Sequence, residues 1–117
     1  MTNTEIEKFT QRLLKDYPKF IAKMKPDDLQ PYMLFGDLGI YVRDLINRGN
    51  YNVSELEEIF EFLNEMGCST DEEVHNLLTV GVLEILTDSR EATLFAEKKL
   101  NGAALKDLEL IHKFWSD

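Results

Sequence analysis

The chain has one cysteine in 117 residues. Cys68 has no internal disulfide partner and falls short of any multi-cysteine metal set, a scarcity that favours a reducing, cytoplasmic setting. No apolar run comes near the roughly 18 residues that a membrane-spanning helix needs. The opening Met1-Thr2-Asn3-Thr4-Glu5 offers neither the positive region nor the apolar stretch of a signal peptide. Alternating runs of β-branched residues are missing too, which leaves no sheet to propose. Walker-type phosphate loops, G-x-S-x-G, C-x-x-C and dinucleotide fingerprints are all absent. Catalysis has no motif to stand on, so the expectation is a non-enzyme without cofactor or metal. What is present is ordinary globular composition, 44% hydrophobic and 30% charged, which excludes wholesale disorder. At this length a single domain over 1–117 buries roughly two-thirds of its unfolded surface.

The most informative absence is positive charge. Between Arg48 and Arg90 there is no Lys or Arg, while ten acids fall there: Glu55, Glu57, Glu58, Glu61, Glu65, Asp71, Glu72, Glu73, Glu84 and Asp88. The flanking thirds nearly balance, at +1 over 1–48 and zero over 89–117, so the whole net charge of −9 belongs to the middle. Such a surface repels nucleic-acid phosphates and suits a basic partner. Part of the excess belongs at helix starts, where acids meet exposed N–H groups and the positive end of the macrodipole. That explains Glu55, Glu57, Asp71, Glu72 and Glu73. It does not explain Glu61 and Glu65, which have no Lys three or four residues away. Glu57–Glu61, Glu58–Glu61 and Glu61–Glu65 instead repel by about 0.2–0.5 kcal/mol each. Glu57, Glu58, Glu61, Glu65, Asp71, Glu72 and Glu73 are therefore the candidate partner-binding residues, against the plainer reading of a solvated helix face.

The apolar periodicity is helical almost throughout. Ile6, Phe9, Leu13 and Tyr17 follow a Thr4…Glu7 capping box and predict a helix over about 4–16. Pro18 ends it and starts a short second helix, because the residue before proline is pushed out of α geometry. A third helix runs over about 31–48 with Gly49 as its stop; its internal Gly36 and Gly39 each cost about 1 kcal/mol against Ala, which implies close approach of a neighbour. Ser54…Glu57 and Thr70…Glu73 are further capping boxes, opening helices to Met66, where Gly67 stops the chain, and over about 71–87. The second of these is apolar nearly all round, as a central helix is. Ser89 opens a helix to about Lys99, Asn101-Gly102 ends it, and a last helix covers about 103–115. The fold expected is all-α: an irregular bundle of five to six helices, in which the pair 54–66 and 71–87 resembles one unit of a HEAT-like curl.

Other residues invite a chemical reading and yield little. Glu72-x-x-His75 and Glu109-x-x-His112 have the spacing used in di-iron helix bundles. The inward Glu required from each of two further helices is lacking, since Glu7 lies off its apolar stripe and Glu61 faces solvent. An exposed His75 and a His112 at the core edge are expected instead. Cys68 has no basic neighbour to activate its thiol. Asp37 and Asp44 with Arg43 and Arg48 read as local ion pairs. Phe114 and Trp115 read as core that closes the bundle, as does Tyr41, while Tyr32 and Tyr51 are candidate aromatic contacts.

Several positions together carry a family resemblance. Phe35-Gly36-Asp37, Tyr41-Val42, Leu45 and Gly49 are followed by Phe60, Leu63, Glu73-Val74 and Asn76-Leu77. Val80-Gly81, Leu83-Glu84-x-Leu86 and the closing Lys113-Phe114-Trp115 complete the pattern. Over about 32–115 the chain resembles a family of small all-helical bacterial proteins similar to the immunity proteins of contact-dependent growth inhibition and other polymorphic toxin systems. The resemblance implies a cytoplasmic protein that binds one cognate toxin domain, with no motif that assigns roles to single residues. Many such toxins are nucleases with basic grooves, which an acidic helical surface would occupy as a phosphate mimic.

Overall fold

The computed structural model describes residues 5–23, 30–49 and 53–115, with side chains as far as Ile111. Every regular element among them is helical. Helix α1 (Glu5–Asp16) sends Phe9 and Leu13 into the core. Tyr17 then leaves helical geometry at φ −126° and ψ 66°, and Pro18 begins α2 (Pro18–Ile21) as its first residue. Proline has no N–H to lose there and its ring fixes a helical φ, so the break and the restart have one cause. Helix α3 (Pro31–Arg48) also begins on a proline and ends where Gly49 turns left-handed at φ 71°. Helix α4 is Val53–Gly67. Helix α5 occupies 72–86 in three successive segments, α-helical at Glu72–Asn76, π-helical at Leu77–Leu83 and α-helical again at Glu84–Leu86. Helices α6 (Arg90–Lys99) and α7 (Gly102–Trp115) complete an all-α fold of seven helices among the described residues. None of the described helices is long and apolar enough to cross a membrane.

One contiguous core runs from Phe9 to Ile111. Its aromatic centre is Phe62 of α4, stacked on Phe35 of α3 at 6.1 Å between centroids and met edge-on by Phe9 at 5.7 Å. Helix α5 packs most extensively along α3, and α4 lies chiefly against α7, so α4 and α5 touch without being each other's main partners. Two glycines make these pairings close. A Cβ on Gly39 would lie 3.2 Å from both the Val82 carbonyl and Ile85 Cβ, whereas one on Gly36 would reach nothing nearer than 3.8 Å. Close approach therefore explains Gly39 and not Gly36. A Cβ on Gly67 would lie 2.8 Å from the Ala104 nitrogen. Gly67 is thus the last residue of α4, chosen by contact with α7 and not by left-handed capping geometry.

Several local expectations need correcting. Helix α4 already includes Val53, so Ser54 lies inside its first turn, past the capping position. Asp71, not Thr70, caps α5, its carboxylate accepting the Glu73 N–H at 2.8 Å. Thr4 lies outside the described residues. Ser89 does cap α6, accepting from Ala92 N–H while donating to Asn47 at 2.6 Å. The expected regular helix over 71–87 contains a wide π segment. Its fully buried side chains, Val74, Leu77, Leu78, Val82, Leu83 and Leu86, cover one broad side of it.

Candidate partner-binding surface

Helix α4 is built as a two-sided element. Leu56, Ile59, Phe60, Phe62, Leu63 and Met66 are buried, which leaves Glu57, Glu58, Glu61 and Glu65 as an exposed ridge. Burial of one face therefore fixes where these carboxylates point. Helix α1 flanks the ridge on one side and the α6–α7 turn on the other. Tyr17 donates to the Glu58 carbonyl at 3.2 Å, and Arg12 forms an ion pair with Glu65. Across the ridge Asn64 bonds the Lys99 carbonyl at 3.2 Å and accepts from the Asn101 N–H at 2.8 Å. That bracket holds Lys99 beside Glu57, with Nζ to Oε1 at 3.2 Å.

The expectation of an uncompensated stripe is thus only half met. Glu57 and Glu65 are answered by bases from the two flanking thirds of the chain, brought in by tertiary packing that helical spacing could not reveal. Both bases are also held over aromatic faces, Arg12 at 5.1 Å from the Phe62 centroid and Lys99 at 5.9 Å from Phe95. The hydrogen bond to Glu65 raises the Arg12 guanidinium above its ordinary pKa, against the lowering effect of burial. Glu58 and Glu61 make no ion pair among the described residues, and neither do Glu72 and Glu73 in the first turn of α5. Asp71 is engaged as the cap. The seven candidates therefore divide into two paired, one capping and four unpaired carboxylates.

At the α1–α2 break a hollow of about 260 Å³ adjoins the ridge, lined by Asp16, Tyr17, Lys19, Ser54, Glu55 and Glu58 among others. Burial pushes the Tyr17 hydroxyl up to about 12, with Glu58 and Asp16 adding to the shift and Arg12 opposing it. Tyr41, half-buried, donates to Glu55 at 2.7 Å and is also raised, first by burial and then by that bond.

His75 is half-buried, not exposed. Its Nε2 lies 2.8 Å from the Ser69 carbonyl and its Nδ1 3.4 Å from the Asp107 carboxylate. It ties the turn before α5 to α7, and both nitrogens are engaged away from Glu72. Among the described residues no group of three His, Cys, Asp or Glu is placed to hold a metal ion. The side chains of His112, Phe114 and Trp115, and the whole of Tyr51, lie outside the described residues. Cys68 is exposed and free. Tyr32 is exposed on α3, and Arg43 stands between Asp44 at 3.4 Å and Asp88 at 3.8 Å.

No curated protein and no solved structure matches the chain. A family model matches residues 10–116, adding most of α1 and α2 to the span over which the sequence pattern is legible. The chain belongs to that family, DUF7674, a domain of unknown function.

Proposed function

We propose that the chain is a non-catalytic immunity protein of the cytoplasm, which neutralises a cognate toxin domain, a basic nuclease in the simplest case, by covering its active site with the α4–α5 acidic surface. The observation that carries this reading is the set Glu58, Glu61, Glu72 and Glu73, exposed and without an ion pair among the described residues. They project from a backbone held by a continuous core, so the face that presents them is set before any partner arrives. Such preorganisation and complementary charge raise association rates and sharpen partner choice. Glu57–Lys99 and Glu65–Arg12 favour a second reading, a helical adaptor whose acidic flank serves mainly to solvate it.

Co-expression with the product of the neighbouring gene tests the first reading. The expected result is a stable complex whose affinity falls steeply with salt. Reversing Glu58, Glu61, Glu72 and Glu73 together to Lys is expected to leave the circular dichroism spectrum unchanged and weaken the complex by at least about a hundredfold. Affinity indifferent to those reversals favours the adaptor, with its interface elsewhere.

A further inference from the structure

Away from the acidic ridge, two hollows meet where α5 gives way to α6. One, of about 360 Å³, is lined by Val80, Glu84, Ile85, Thr87 and Asp88. The other, of about 490 Å³, is lined by Thr87, Arg90, Thr93 and Leu94. Thr87 belongs to both, and its hydroxyl donates to the Glu84 carbonyl at 2.8 Å, which ties it to the end of α5. Each hollow has a large apolar side chain that the core leaves out, Val80 at 52% exposed and Leu94 at 48%. Each also has charge to spare, of opposite sign. Glu84 and Arg90 make no ion pair among the described residues. Asp88 reaches Arg43 only at 3.8 Å, and Arg43 is shared with Asp44. The order of these residues is the same in both directions from Thr87: Glu84 and Arg90 stand three residues away, Val80 and Leu94 seven.

We infer that this patch is an interface between two copies of the chain, related by a two-fold axis at Thr87. A contact of that symmetry pairs one residue with a second and the second with the first, so it needs a surface that complements itself. This surface does. Rotation about Thr87 lays the half with Val80 and Glu84 on the half with Arg90 and Leu94, and does so twice. Glu84 of each copy then faces Arg90 of the other, and Val80 faces Leu94. The two signs of charge select this occupant. A purely basic partner would answer Glu84 and be repelled by Arg90, and an acidic one would do the reverse, whereas a second copy answers both. The net charge of −9 opposes the pairing only weakly. Charges further apart than about 8 Å are largely screened at physiological salt, and seven of the ten acids of the middle third lie on or beside α4 and the first turn of α5. One ion pair and one apolar contact on each side of the axis make a small interface, so a dimer that dissociates on dilution is expected. The inference stands apart from the toxin reading, since the patch lies on the second half of α5 and on α6, and the ridge on α4 and the first turn of α5.

The test is sedimentation equilibrium of the full chain at physiological salt, from micromolar to near-millimolar concentration. The mass is expected to rise from one chain to two across that range. Glu84→Lys and Arg90→Glu are each expected to weaken the dimer by at least about tenfold, because like charges then meet on both sides of the axis. Mixing those two variants is expected to restore association to within about threefold of the parent. In the mixed pair the new lysine of one chain faces the new glutamate of the other, and the untouched Arg90 faces the untouched Glu84. The same recovery is expected when both changes are made in one chain, and recovery in either form shows that the single variants fold. Three results overturn the inference: a single chain at every concentration, a dimer indifferent to both reversals, or a mixture that associates no better than either variant alone.

Discussion

Gly67→Ala is the sharpest check on how α4 and α7 meet. The added methyl would lie 2.8 Å from the Ala104 nitrogen, 2.9 Å from its Cβ and 3.1 Å from its Cα. Carbon atoms pack best at about 3.5–4.0 Å, so three contacts must each open by about half an ångström or more. Two of the three atoms are backbone in the first turn of α7, and relief requires that helix to slide as a body. Overpacking of this kind costs about 1–3 kcal/mol. Exchanging glycine for alanine in a helix returns up to about 1 kcal/mol, less at a last residue such as Gly67. The net expectation is a loss of about 1–2 kcal/mol. Unfolding entropy of about 2.1 cal/mol/K per residue over 117 residues gives about 0.25 kcal/mol/K, so Tm should fall by about 4–8 °C. Urea titration followed by far-ultraviolet circular dichroism measures the same loss as a lower midpoint at unchanged slope. Adding Ala104→Gly removes the Cβ contact and leaves the nitrogen where it was, so the double variant should recover only part of the loss. Full recovery, or a Gly67→Ala protein as stable as the parent, refutes the claim that backbone against backbone sets this spacing.

The other expectations are of different kinds. Gly36→Ala should stabilise the chain by about 0.5–1 kcal/mol, because its Cβ meets only ordinary contacts, whereas Gly39→Ala should gain less or lose, since the Val82 carbonyl stands at 3.2 Å; midpoints from the same denaturation assay rank the two. Alkaline titration followed by tyrosine absorbance should show Tyr17 ionising near 12 and Tyr41 also late, with Tyr17→Phe deleting one late step. Above the ordinary tyrosine value of 10.0 the folded state keeps protons that the unfolded chain has lost, so Tyr17's contribution to stability is whole below 10.0 and disappears as pH climbs through about 12, while Tyr41 keeps its own to higher pH. Arg12→Ala and Lys99→Ala should each raise the association rate with a cationic partner and lower stability by no more than about 1 kcal/mol, the worth of an exposed ion pair. Stopped-flow mixing at low salt reads the rate, and an unchanged rate removes the ridge from the encounter surface.

What could be read from the residues was whatever depends on neighbours in sequence. The stripe Leu56, Ile59, Phe60, Leu63 and Met66 defines α4 and its outer carboxylates because helix periodicity is local. Pro18 and Gly49 mark boundaries because their allowed backbone angles are local as well. What stayed hidden depends on neighbours in space. Arg12 and Lys99 lie 53 and 42 residues from the glutamates they meet, and no spacing rule reaches that far. Gly67 looks like a helix stop from sequence, since contact with Ala104 leaves no local trace. The π segment left none either, because Leu77, Leu78, Val82 and Leu83 are all buried and an all-round apolar helix has no single stripe whose period could be read. His75 reads as exposed from sequence, and is half-buried, for the same reason that Arg12 was hidden: its partner Asp107 sits on the last helix.

The pairing of Glu57 and Glu65 also changes what the ridge can do. Four flexible glutamates without counter-charges would repel one another and sample many rotamers, and a partner would have to order them all on binding, at about 0.5–1.5 kcal/mol for each immobilised side chain. Here the two outer members are tied down by bases that are themselves held over Phe62 and Phe95. The inner pair, Glu58 and Glu61, keeps its charge unshared with any described residue. Neutralising the edges lowers the total field and concentrates what remains at the centre of the helix face. A cationic partner is then drawn less strongly from a distance and aligned more closely on arrival. Under the proposed toxin-binding role, that trade suits recognition of one particular basic surface better than attraction to any polycation.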